Sequence, residues 1–201
     1  MRFLTLIMLL LISHLVLASN DNTFSNVTAG ITIEKPDEWR FLTAQQNADN
    51  LARVELDDAS FQEQMRKYAS APLVVMSKHA EPFNDLNPSL KITIKPFGQL
   101  KGTDPKEMLG MIYPAMEKAY RDFKLVQAPH DTVVSGLKAA HMRIDYTLVN
   151  SDGKEFPTAS ELWIVPRGDF YFLIGVGIRQ DEKTGSRSEI MAILNSLVIT
   201  P

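Results

Sequence analysis

"ELWIVPRGDFYFLIGVGI", residues 161 to 178, decides the fold. It is among the most apolar runs of the chain, yet an Arg-Gly-Asp tripeptide interrupts it at residues 167–169. An adhesion signal, a membrane-inserting hairpin and a structural turn are the three readings of that interruption. Charges at Glu161, Arg167, Asp169 and Arg179 argue against lipid, where two isolated strands would also leave their edges unsatisfied. A tripeptide recurs by chance, and adhesive use needs a suitably shaped exposed loop. Turn chemistry is sufficient: Gly168 permits positive φ, and Arg167 and Asp169 keep the tip in water.

Working outward, "DTVVSGLKAAHMRIDYTLVN" (131–150), "KEFPTASELWIV" (154–165) and "DFYFLIGVGIR" (169–179) read as three strands in succession. "NSDGK" and "VPRGD" both fit a type I turn followed by a left-handed glycine, which makes each loop three residues long. That register predicts Met142 opposite Leu162, Leu148 opposite Phe156, Ile164 opposite Phe170 and Leu162 opposite Phe172 on one apolar face. The other face then carries His141, Trp163, Tyr171 and Leu173, with Arg143 across from Glu161 as an ion pair. So aromatic a second face calls for a covering helix.

Upstream, "GITIEKPDEW" opens a strand at Gly30, "RFLTA" reads as a second short strand, and "LVVMS" (73–77) and "LKITI" (90–94) are two more. Helical spacing of Phe61, Met65 and Tyr68 marks a helix over 57–69. A stronger one spans 104–122, with Asp104 as N-cap, Pro105 first and Glu107 third. Its apolar positions are Met108, Met111, Ile112, Ala115, Met116 and Ala119, and Pro114 predicts one kinked helix. Ser186 with Glu189 forms a capping box before a last helix carrying Ile190, Ile193, Leu194 and Leu197.

The first eighteen residues, Arg2 and then a run of about fifteen mostly apolar residues closing on "VLA", have the layout of a cleaved signal peptide and fall short of the roughly twenty that span a bilayer. Residues 19–29 read as a loose lead, and 30–201 as a single domain. The 201-residue chain carries 24 acidic and 21 basic residues in a mixed pattern, which offers no basic block for nucleic acid. Without cysteine there is no disulfide and no thiolate site. The "NVT" at Asn26–Thr28 is a short sequon relevant only to a eukaryotic secretory route.

Catalytic equipment is scarce. Beyond the leader the histidines are His79, His130 and His141, none in an HxH or HxxxH pair, so any metal centre would have to come from distant segments. No nucleophile elbow and no phosphate-cradling glycine motif is present, and "GVG" at 175–177 falls within a strand. Asp57-Asp58 and Asp181-Glu182 read as helix-start or solvated charges. No catalytic, cofactor-binding or metal residue is therefore expected.

The strings "GITIEKPDEW", "APLVVMSKH", "NPSLKITI" and "ILNSLVI", in that order around a long helix and a meander, resemble the PsbP family, including its bacterial DcrB-like proteins. The resemblance covers roughly residues 28 to 200. It implies an α+β chain folded as an α/β/α sandwich, with a central, mainly antiparallel sheet and helices on both faces. Relatives of this fold act as extrinsic subunits, assembly factors or binding modules, and no functional residue of theirs maps onto this sequence. The expected function is thus an exported, non-catalytic envelope protein that binds or helps assemble a protein partner. Its candidate interaction residues are Arg143, Glu161, Trp163 and Tyr171 on the second sheet face, with Phe83 and Asn84 in the 82–87 loop. The alternative is a small-ligand or lipid carrier, with an apolar pocket between the 104–122 helix and the sheet.

Overall fold

A computed structural model describes residues 22–68 and 72–200, without the side chains of 64–68. The expected leader, and Met65 and Tyr68 as packing residues, lie outside the described residues. In chain order the elements are β1 (Thr23–Asn26), β2 (Ile31–Glu34), β3 (Arg40–Phe41), α1 (Ala44–Ala52), β4 (Val54–Glu55), α2 (Ala59–Tyr68), β5 (Val74–Ser77) and β6 (Ser89–Pro96). Then follow α3 (Pro105–Ala119), β7 (Arg121–Val134), β8 (Leu137–Asn150), β9 (Glu155–Arg167), β10 (Phe170–Arg179), α4 (Arg187–Asn195) and β11 (Val198–Ile199).

Eight strands form the central antiparallel sheet, in the order β3-β5-β6-β10-β9-β8-β4, with β7 also pairing β8. Helices lie on both faces, as an α/β/α sandwich requires. Against one face pack α3 and α2, where Met108, Leu109 and Met116 meet Met142, Ile144 and Ile164. Against the other lie α4 and a small sheet, β1-β2-β11, where Ile190, Ile193 and Leu194 join Trp163, Val165, Phe172 and Ile174. Strand alternation produces the two faces: in β10, Phe172, Ile174, Val176 and Ile178 are buried in one core, while Tyr171 and Leu173 serve the other.

The β8–β9 register is the expected one. Met142 faces Leu162 and Leu148 faces Phe156 across the loop whose Gly153 has φ +75°. The β9–β10 register is a correction. Arg167 pairs with Phe170, so the loop is the two residues Gly168-Asp169, and Ile164 faces Leu173 rather than Phe170. An odd displacement exchanges faces: Phe172 joins Trp163 and Val165, and Tyr171 and Leu173 go to the α3 side. The reason lies in Pro166. The β8–β9 ladder reaches only to Ala140–Ile164, so Pro166 sits past it, where a missing N–H costs nothing on that side. The arginine of the tripeptide is committed internally, Nε donating to the Thr200 carbonyl at 2.6 Å, while Asp169 stands 88% exposed with Lys101.

Three further expectations change. Residues 131–150 are not one strand: Ser135 and Gly136, with φ of +50° and +78°, turn the chain between β7 and β8 as a type I′ hairpin. The expected lead contains β1, which pairs Thr23–Asn26 with β2. Helix α1 was not foreseen, although Thr43 and Gln46 form its capping box. By contrast α3 starts as expected, with Asp104 accepting from Lys106 N at 2.9 Å, and runs through Pro114 as one helix; Met111, however, is 60% exposed. The box of Ser186 and Glu189 opens α4 as read.

Candidate functional site: a cleft over the sheet

The α3-side face of the sheet is only partly covered. Beyond α3 lies an open cleft of about 620 Å³ whose floor is sheet and whose walls are α1, the 81–87 loop and the β8–β9 turn. The cavity is therefore not at the methionine face of α3, where the carrier reading put it; Met108 and Met116 there are buried in the core.

The floor follows from register. Lys91 on β6 lies opposite Gly175 on β10 and Val75 on β5, and Ser89 lies opposite Gly177, itself opposite Ser160 on β9. Glycines two apart in a strand share a face, so Gly175 and Gly177 remove two side chains from one side and leave space above it. At Gly175 an added Cβ would meet nothing within 4 Å. Farther along the floor the Tyr120 and Tyr146 rings stack at 4.1 Å, and the Tyr146 hydroxyl bonds Ser160 Oγ at 3.1 Å. Burial raises the pKa of both phenols, which stay neutral at ordinary pH.

The walls are pinned by paired charges. Arg53, the C-cap residue of α1, reaches Glu81 at 3.2 Å, and Glu81 also accepts from Phe83 N and Asn87 Nδ2. Arg179 holds Asp85 at 2.8 Å, and Lys154 donates to the Asn84 carbonyl at 2.6 Å. His79 stacks on Phe83 at 4.3 Å, with its Nε2 2.7 Å from the Thr184 carbonyl. A loop held at so many points is a wall formed in advance of any ligand.

Lys91 differs from every other charged group lining the cleft. It lies on the floor, and no hydrogen-bond or ion-pair partner for it exists among the described residues. Burial, and then the like charge of Lys95, lowers its pKa.

The candidates from sequence divide among three places. Phe83 and Asn84 line the cleft. Glu161 and Trp163, each 3% exposed, are interior on the α4 side, and Tyr171 lies on the opposite face against Phe97. Arg143 is opposite Glu161 in register, yet the ion pair is elsewhere: Arg187 of α4 binds Glu161 through Nε and, at 2.9 Å, through Nη2, and His141 Nε2 binds it at 2.7 Å. Burial pushes the Glu161 pKa up, but the His141 and Arg187 hydrogen bonds outweigh it and hold the group at about 2. His141 stacks on Trp163 at 4.4 Å and meets His130 across the β7–β8 pair at 5.0 Å. Among the described residues no three of His, Cys, Asp or Glu are grouped to hold a metal, and no helix is long and apolar enough to cross a membrane.

Lys91, Gly175 and Gly177 were missed. The alternation of "LKITI" places Lys91 on a polar face, which in sequence looks the same as a solvated one. The glycine pair was the available signal.

Sheet and helix layers together define a protein with the PsbP-like α+β fold, as the sequence resemblance implied. Among solved structures, cyanobacterial PsbP from Synechocystis sp. PCC 6803 superposes with a TM-score of 0.50 at 12% identity, over 89% of this chain and 91% of that one. LpqN of Mycobacterium tuberculosis, a protein involved in cell envelope biogenesis, gives a TM-score of 0.51 at 15% identity over 85% of this chain and 83% of its own. A Bacteroides thetaiotaomicron protein gives 0.50 at 12% identity, with 90% of this chain covering 48% of that one. No family model matches the sequence, and no curated protein matches it. At these identities the likeness is one of fold.

Proposed function

We propose that this chain is a non-catalytic binding protein, exported across a membrane, that holds a small ligand in the lateral cleft. The observation that carries the reading is the floor: two glycines open it, and a lysine there has no partner among the described residues. Export is supported by the leader-like first eighteen residues. A non-catalytic role is supported by how the floor's polar groups are used. Ser160 is bonded to Tyr146, Ser77 Oγ donates to the His79 carbonyl at 3.3 Å, and Thr158 Oγ1 donates to the Phe156 carbonyl at 2.8 Å, so the partner of each of these hydroxyls is a phenol or a backbone carbonyl rather than an activating base.

The assembly reading drawn from the sequence used a surface that included Glu161 and Trp163. With both interior, what remains of it at the cleft is Phe83 and Asn84, and the ligand reading takes precedence.

Native mass spectrometry of the protein recovered from its own envelope fraction tests this. The wild type is expected to carry an added mass that denaturation releases, and Gly175→Leu, whose side chain enters the cleft, is expected to carry none. Wild-type protein that stays at its bare mass even after incubation with host extract overturns the reading.

A further inference from the structure

We propose that the ligand is a small organic monoanion of the carboxylate class, its charge paired with Lys91 and its apolar body held by the leucine and aromatic side chains of the cleft. The inference rests on the cleft-binding reading above and adds the chemistry of the occupant.

Lys91 is partly buried on the cleft floor, and a lysine that loses part of its water gains from a nearby opposite charge, because desolvating an ammonium group is expensive. Every other charge around the cleft is answered or solvated: Arg53 by Glu81, Asp85 by Arg179, Lys154 by the Asn84 carbonyl, and Asp152 by exposure at the β8–β9 turn. At Lys91 the directly opposed residues are Val75 and Gly175, neither of which is an acid, and the charge next along the same strand face is another cation, Lys95. Lys91 therefore has no counter-ion among the described residues, and Gly175 leaves the space above it open. The hydroxyls of Ser89 and Ser160 flank the next glycine, each 3.8 Å from where a Cβ on Gly177 would stand. A carboxylate entering from the cleft meets a cation and hydroxyl donors at its charged end. Leu51, Leu86, Leu148, Phe83 and Phe156 line the space left for its carbon chain. One unanswered cation argues for one negative charge: a doubly charged head would bring an excess charge into a partly desolvated site.

Titration calorimetry with decanoate, decanol and decyl phosphate tests the assignment on wild type, Lys91→Met, Lys91→Arg and Gly175→Leu. Decanoate is expected to bind wild type about ten- to a hundredfold more tightly than decanol, the range of a charge-assisted hydrogen bond. Lys91→Met is expected to bring decanoate down to the decanol level without weakening decanol, and Lys91→Arg to keep the preference. Lys91→Met removes a charge that has no partner among the described residues and is expected to fold; if it does not, the wild-type decanoate-to-decanol ratio and Lys91→Arg carry the test. Equal binding of decanoate and decanol, tighter binding of decyl phosphate, or a preference untouched in Lys91→Met overturns the monoanion and leaves the cleft reading standing. Binding of no probe by wild type, or binding unaffected by Gly175→Leu, overturns the cleft reading and this inference with it.

Discussion

Glu161 shows how much one buried carboxylate can hold. It accepts from His141 on its own sheet and from Arg187 at the start of α4, and so ties the helix layer to the sheet. Removing the charge leaves Arg187 without its partner; because the Arg187 side chain is 39% exposed, water recovers part of the loss. Glu161→Gln is therefore expected to cost about 1–3 kcal/mol in urea unfolding, less than a fully enclosed pair. The pH dependence has a definite sign. A carboxylate held at about 2, below its ordinary 4.5, contributes stability that is complete above the ordinary value and fades as pH falls toward about 2. The stability difference between wild type and Glu161→Gln should shrink across that interval in acid titrations monitored by tryptophan fluorescence. A constant difference from neutral pH to about 2 would remove the ion pair from the account. The sequence placed Arg143 opposite Glu161 correctly, but the partner that closes the pair comes from 26 residues downstream, beyond the reach of strand register.

Elements obeyed local chemistry wherever that chemistry was complete. Ser186 and Glu189 form the box that starts α4, and Ser186→Ala is expected to lower stability by about 1 kcal/mol in thermal melts, with no change in the sheet's far-UV signature. At the β8–β9 turn, Gly153 N bonds the Asn150 carbonyl at 2.8 Å, and the register deduced from that turn holds along the pair. The next hairpin misled because Pro166 suits the second position of a type I turn as well as it suits a strand end. Gly168 at φ +58° opens the two-residue loop instead. Gly168→Ala is expected to cost about 1 kcal/mol or more, since the alanine Cβ disfavours that conformation; a neutral result in denaturant titration would contradict the turn assignment. The Ser135-Gly136 turn was passed over because neighbouring valines and alanines continue the β pattern on either side of it.

For the molecule as a whole, the consequence is a sheet with one face closed and the other partly open. Gly175 sits where that openness is decided. Replacing it by valine supplies the strand propensity that glycine lacks, so melting temperature is expected to hold or to rise with a gain of about 0.5–1 kcal/mol, while ligand retention falls. A substitution that strengthens the fold and abolishes retention would separate the cleft's role from stability. A variant that retains ligand and melts higher would show that the space over Gly175 is not the site. Periodicity of two in the strands, helical spacing and caps, the glycine at the β8–β9 turn and the order of short strings were enough, by themselves, to specify an antiparallel meander between helix layers. Those are signals between residues a few positions apart. What covers each face is different information, because alternation separates two sides of a strand without saying whether water, a helix or a cavity lies over either. Only the packing of α1 and the 81–87 loop over β6 and β10 turned Lys91 from one more polar strand residue into a partly desolvated cation over an open floor.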